Sequence, residues 1–431
     1  MKKFLLLSML ALAMFVVGCS DDDDKSPLAP TPAGDSYVRV VHLSPDAPAV
    51  DVWVDGSRVL QNVAFSQASS YLTVPSGNHQ VQVTPAGVSQ PVVLEANVDL
   101  SQNVAYTVAA TGLLANLQAV VLSDDHVTNS EQAKVRFVHA APDAPEVDVV
   151  ISGGATLFSN VAFRESGAYL TVPASQYVLD VLLSGSSTVA LRAHSIAAGA
   201  NANYTIFATG LAGDGSLAAM VLVDAGTPMA IPSSELRVAH LSPDAPAVDV
   251  WVNGTRVLEN VPFQAVSGYL TVTSGQHWVQ VTPTGATEPV VIDAVITAAA
   301  NTSYTVAATG LLSGNDLSPM LLIDDRTPIA SQAKVRFVHT SPDAPAVDIA
   351  VAGGPVLFSG VAFREIGNYL TVAPQSYDLE VRLAGTDTVV LPLAGVALAP
   401  SENYSVFAIG LVGSGTLRPF VVEQRRPARI E

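Results

Sequence analysis

Cysteine is almost absent: Cys19 is the only one in 431 residues. No disulfide within the chain can therefore staple a domain, and each domain must hold together by apolar burial. Basic residues are scarce too, with 20 Lys and Arg against 38 Asp and Glu and a formal charge of −18. A surface of that sign repels phosphate backbones, so no nucleic-acid partner is expected. Aromatic residues make up only 6% of the chain. They form no basic aromatic stripe, and neither a glycine-rich phosphate loop nor a Cys/His zinc spacing occurs. No segment sustains a helical period, and the one long apolar run lies at the start. What remains is rich in valine and alanine, 49% apolar, with 28 prolines and 30 glycines spread along it. Such a composition belongs to a turn-rich, multi-strand globular chain, and its length calls for several cores.

Met1, Lys2 and Lys3 precede an apolar run from Phe4 to Gly18, broken only by Ser8. That run is short for a membrane span and right for a signal peptide. It ends in Val16-Val17-Gly18-Cys19, which resembles the lipobox of bacterial lipoproteins. The resemblance implies that residues 1–18 are a lipoprotein signal peptide and that Cys19 is the lipid attachment site. Each buried methylene of a palmitate-like chain contributes about 0.8 kcal/mol, so two or three chains give a durable membrane anchor. Residues 19–36 read as an acidic, Pro-rich, disordered tether: Ser20, then Asp21 to Asp24, then Lys25 and a Ser/Pro/Ala/Thr/Gly stretch. The acidic run is similar to the signal by which some Gram-negative lineages send lipoproteins outward, with a solvated spacer as the alternative. The expected location is the outer membrane, lipid-anchored and facing the cell surface; the periplasmic face is the alternative.

Everything after Tyr37 is periodic. A His/Pro/Asp/Ala/Pro segment occurs at His42 to Pro48, His139 to Pro145, His240 to Pro246 and His339 to Pro345, with spacings of 97, 101 and 99 residues between the histidines. Four β-sandwich repeats follow, at 37–127, 134–226, 235–326 and 334–425. In the first, strands are expected at 38–43, 50–55, 59–63, 70–74, 80–84, 92–98, 106–110 and 118–122, the spacing of an antiparallel sandwich. Along Val50 to Asp55 the valines share one face, expected to be core, and Asp51, Trp53 and Asp55 share the other, expected to be open. The first and third copies share Val-Trp-Val (around Trp53 and Trp251) and His79 with His277; the second and fourth share Lys-Val-Arg-Phe (from Lys134 and Lys334) and Phe-Arg-Glu (from Phe163 and Phe363). This alternation points to duplication of a two-domain unit with a distinct interface between odd and even copies. The short linkers predict a semi-stiff rod.

The run V-R-x-x-H-x-S-P-D-A-P-x-V-D-x-x-V, followed by Y-L-T-V and Y-T-V-x-A-x-G, resembles the bacterial domain-of-unknown-function family 4397 over nearly all of the mature chain. Ala141 replaces the motif's serine in the second copy, and Ile349-Ala350-Val351 alters the strand in the fourth. The resemblance implies an all-β class of tandem Ig-like or transthyretin-like sandwiches in exported proteins, with no activity attached.

His42, Ser44 and Asp46 sit close enough to suggest a hydrolase, but Ala141 stands where a nucleophile would have to be. A shaped bend is the better reading: Pro45 sets φ, Ala47 before Pro48 is extended, and Asp46 accepts backbone N–H groups. No catalytic residue is assigned, and the motif histidines are read as structural. Carboxylates at a domain pole, with His42, Asp46, Asp124, Asp125 and Asp343 as candidates, would suit Ca²⁺. Because the second copy ends in a lone Asp224 and the last in Glu423, such sites would be unequal, and neither metal nor cofactor is assigned. Tyr106, Tyr204, Tyr304 and Tyr404 are expected to form tyrosine corners. The leading expectation is a non-enzymatic, lipid-anchored envelope protein presenting its sandwiches as a structural, adhesive or interaction module. The alternative is a surface lipoprotein that binds an extracellular glycan or peptide through Trp53 and Trp251, against packing between paired domains.

Overall fold

A computed structural model of the chain describes residues 34–424. Cys19, the apolar leader and nearly all of the tether lie outside the described residues. Among the described residues, thirty-two strands and one short 3₁₀ turn, Leu114–Asn116, make up the regular structure. In the first copy the strands are β1 (Asp35–Leu43), β2 (Val50–Val54), β3 (Ser57–Val63), β4 (Leu72–Pro75), β5 (Gly77–Pro85), β6 (Leu94–Leu100), β7 (Ala105–Thr111) and β8 (Gln118–Asp124). The other copies repeat this succession as β9 to β16 (132–226), β17 to β24 (233–324) and β25 to β32 (333–423).

Each copy is a sandwich of two four-stranded sheets, ordered β4-β1-β7-β8 and β3-β2-β5-β6 in the first. The all-β expectation holds, with one difference from a purely antiparallel sandwich: β1 and β7 pair in parallel, from Tyr37 opposite Ala105 to Leu43 opposite Thr111. A parallel neighbour requires a long crossover, and here the whole second sheet is built inside it. Asp55 and Gly56 both have positive φ, 49° and 77°, which gives the tight β2–β3 hairpin the right-handed twist of its strands. The core of the first copy gathers Val38, Val40, Val52, Val81, Val98, Leu100 and Val108. Even copies pack larger groups at the same places, with Phe137 stacked on Phe158 at 6.1 Å between ring centroids.

Strand β1 is buried on both faces. Val38 and Val40 point into their own core, yet Arg39, Val41 and Leu43 are also 3%, 0% and 0% exposed. The second domain covers that outer face: Val41, Leu43, Ala109 and Leu122 form one apolar cluster with Val138, Ala140 and Phe207. Ala239, Leu241, Ala307 and Leu322 join Val338, Phe407 and Ile409 in the same way between the third and fourth domains. The chain is thus two face-to-face pairs of sandwiches. The pairs are joined end to end, where Gln176 of β13 (Ser175–Leu183) meets Gly275 of β21 (Gly275–Pro283) in parallel and merges two sheets into one of eight strands.

Candidate functional site at the domain junctions

The bend motif can be placed first. His42 is 1% exposed; its Nδ1 accepts the Ser44 N–H at 3.2 Å and its Nε2 lies 3.0 Å from the Pro48 carbonyl. His139, His240 and His339 make the same contact with Pro145, Pro246 and Pro345. Burial lowers the pKa of all four, since the charged ring would lose its water. Asp46 accepts the Leu114 N–H at 2.7 Å, and Asp343 accepts from Val412 and Gly413, both at 2.8 Å. The histidine therefore closes its own bend, and the aspartate ties that bend to the loop after the seventh strand. Among the described residues no group of three or more His, Cys, Asp or Glu is placed to hold a metal ion.

Asp124, a candidate pole ligand by sequence, instead lies in a buried ionic layer between domains. Arg39 donates through Nη2 to Asp224 of the second domain and through Nη1 to the Val223 carbonyl at 3.0 Å. Arg136 reciprocates with Asp124 of the first domain and the Ser123 carbonyl at 2.8 Å. Each guanidinium also donates to a threonine of its own domain, Thr107 or Thr205, and lies over its own tyrosine, 4.9 Å from the Tyr71 ring centroid and 4.7 Å from that of Tyr169. The tyrosine hydroxyls donate to Asp124 and Asp224 at 2.6 Å. Burial, together with those carboxylates, pushes both hydroxyls far above their ordinary pKa. Two buried cations thus meet two buried anions, and nearly every lone pair is used, the condition under which such pairs are tolerated in an interior.

The third and fourth domains repeat half of this. Arg336 donates to Asp324 at 2.5 Å and to Ser405 at 2.7 Å, but Gln424 stands where Asp224 stands in the second domain. Its Oε1 accepts from Tyr369 and its Nε2 donates to Ser405 and Asp324. Arg237 keeps Thr305 and the Glu423 carbonyl, while its buried Nη2 has no hydrogen-bond partner among the described residues.

Residues particular to even copies latch onto the preceding odd domain. Arg164 donates to the Thr111 hydroxyl and carbonyl and to the Asn116 carbonyl; Arg364 does the same at Thr309 and Asp316. Lys134 and Lys334 pair with Asp125 and Asp325. The alternation in the sequence therefore records an odd–even interface. The joint between pairs is different: Trp278 stacks on His194 at 5.2 Å, lies beneath Arg192 at 5.8 Å, and donates to Asp293 at 2.6 Å.

The remaining candidates sit inside single domains. Trp53 and Trp251 are half-buried, with their indole N–H groups donating to Thr84 and Thr282 and Arg58 and Arg256 over their rings. They do not pack between paired domains. Asp51 and Asp249, expected on an open face, are 1% and 0% exposed and accept from Asn62 and Asn260 and from the glycines of the facing loop. Tyr106, Tyr204, Tyr304 and Tyr404 each hold the backbone N–H five residues upstream, at 3.1, 2.9, 3.0 and 3.0 Å. These are the tyrosine corners. The inter-domain layer was missed from sequence, although an arginine inside an apolar strand in every copy, and an aspartate closing three of the four, signalled buried charges in need of partners.

The family model described as Domain of unknown function (DUF4397) matches residues 36–150, 148–250, 234–350 and 333–430. No curated protein matches the chain. Among solved structures, the Bacillus anthracis TIE protein is similar at 11% identity, with 88% of this chain and 69% of that chain covered and a TM-score of 0.14. The pilus adhesin SpaC from Lactobacillus rhamnosus GG is similar at 10% identity, with 86% and 50% covered and a TM-score of 0.12. At such scores neither likeness carries a functional argument.

Proposed function

The chain belongs to the family described as Domain of unknown function (DUF4397), and from that premise we propose that it is a non-enzymatic, lipid-anchored envelope protein whose paired sandwiches form a stiff display arm. The observation that carries the reading is the reciprocal ionic layer: Arg39 with Asp224 and Arg136 with Asp124, all nearly excluded from water. Domains tied by buried charges resist separation, because each charge left alone in an interior costs several kcal/mol. The motif His and Asp side chains, which would have to carry any hydrolysis, are engaged in holding loops. Cys19 supplies the anchor in this reading, and the acidic tether sets the arm off from an outer-membrane surface facing the exterior. Membrane fractionation with metabolic palmitate labelling tests it. Label and protein are expected together in the membrane fraction, with both lost in Cys19→Ala; membrane retention without label would overturn the anchor.

A further inference from the structure

One groove sets the first domain apart from its siblings. Between the sheets, at the end where β4 and β5 meet, lies a half-open cavity of about 480 Å³ lined by residues that include Val38, Val40, Val59, Val74, Val81 and Val108. The corresponding space in the second domain, lined by Val135, Leu157, Val172, Tyr177, Leu179 and Ile206, measures about 10 Å³, and in the fourth domain about 20 Å³.

The sequence accounts for the difference. Where even copies carry Phe137 with Phe158, and Phe337 with Phe358, the first copy has Val40 and Leu60. Tyr177 and Tyr377 are replaced by His79. The exchange is concerted: a Cβ on Gly167 would lie 2.2 Å from the Phe158 ring, so the even copies keep glycine there, whereas the first has Ser69, whose hydroxyl accepts the Val40 N–H at 3.0 Å. The third copy also has the small pair, Val238 and Leu258, but its corresponding end is covered by the second domain: Gln176 bonds to the Ser274 carbonyl at 3.0 Å, and His277 is 3% exposed. In the first domain no described residue of another domain covers that end.

What fills this space in the sibling domains is hydrocarbon. At about the 30 Å³ that a water molecule occupies in the liquid, a methylene being of similar size, the groove has room for roughly a dozen or more methylenes. The titratable side chains that line it stand at the mouth, where His79 Nδ1 meets Asp55 at 2.6 Å and Nε2 lies 2.7 Å from the Pro75 carbonyl. Asp55 remains half-exposed there, on a chain of charge −18, so an anionic head group would be repelled. We propose that this groove binds the acyl chain of a single-chain amphiphile with an uncharged head, the chain among the valines and the head at the His79–Asp55 rim. This does not depend on whether Cys19 is acylated.

The experiment is calorimetric titration of the chain from Ser20 onward, which retains every described strand, with monolauroylglycerol below its aggregation threshold. Saturable binding of one molecule per chain is expected, with laurate binding more weakly. Val40→Phe, and separately Val40→Phe/Leu60→Phe/Ser69→Gly, which installs the even-copy set, should weaken binding by about tenfold or more without lowering the melting temperature. Val238→Phe in the third domain should leave binding unchanged. No binding, binding indifferent to both groove-filling variants, or binding that emerges only when residues 20–33 are deleted would overturn the proposal, the last by making the leader the occupant.

Discussion

Asp224→Ala is a substitution in the second domain whose largest effect is expected in the first. Arg39 would keep Thr107 and the Val223 carbonyl but lose its hydrogen-bonded carboxylate, with only Asp124, already paired with Arg136, left 4.0 Å away, at a position where its side chain is 4% exposed. The hydroxyls of Tyr169 and Thr205 would lose their acceptor too. Breaking a buried pair by removing one partner costs about 3–5 kcal/mol, because the other charge stays behind in the interior. Trp53 reports on the first domain alone once Trp251 and Trp278 are replaced by phenylalanine. In that background, with an m-value of about 2 kcal/mol per molar urea, the loss corresponds to a fall of roughly 2 M in the urea midpoint of Trp53 fluorescence. Arg39→Met/Asp224→Leu should recover much of it, since both charges leave together. A midpoint shift equivalent to less than about 1 kcal/mol, the range of surface pairs, would refute the reasoning, as would a double variant as unstable as the two single losses added.

Arg237 has Asp324 of its own domain at 3.6 Å but no counterpart of Asp224 across the junction; Gln424→Asp supplies that carboxylate and should raise the stability of the second pair by about 1–3 kcal/mol, read as a higher melting temperature, and an unchanged or lower value contradicts the comparison between the pairs. The four motif histidines are held below their ordinary value of 6.5 by burial, so the unfolded chain takes up protons first. Stability is therefore full above about pH 6.5 and falls as the pH drops from there toward the folded-state values, by up to about 1.4 kcal/mol per pH unit for each histidine. Urea midpoints that stay flat between about pH 7.5 and 5.5 would contradict this. Tyr304→Phe should cost about 1–2 kcal/mol by leaving the Ala299 N–H without its acceptor, measured by thermal melting, and a neutral result would remove the corner from the account.

The sandwich class and all eight strands of the first repeat were legible because each strand alternates or clusters its valines between turn residues, as in Val50 to Val54. Two things were not legible. Asp51 was placed on an open face, since period-2 alternation cannot show that a neighbouring loop folds over that face and donates its N–H groups to the carboxylate. The pairing of domains was visible only as alternation between copies, although β1 carries its signature: a strand apolar at successive positions, Val38, Val40, Val41 and Leu43, is covered on both faces. What sat opposite Arg39 could not be read, because Asp224 lies 185 residues away in another domain.

Double spin labels at exposed sites in the first and fourth domains, Asp99→Cys and Asp387→Cys, test the stiff display arm most directly, since the chain from Ser20 onward has no other cysteine. Dipolar distance measurement should return a single narrow distribution across three junctions, broadened by Asp224→Ala and by Trp278→Ala. A broad distribution in the unsubstituted background, like that of domains on slack linkers, would contradict the account.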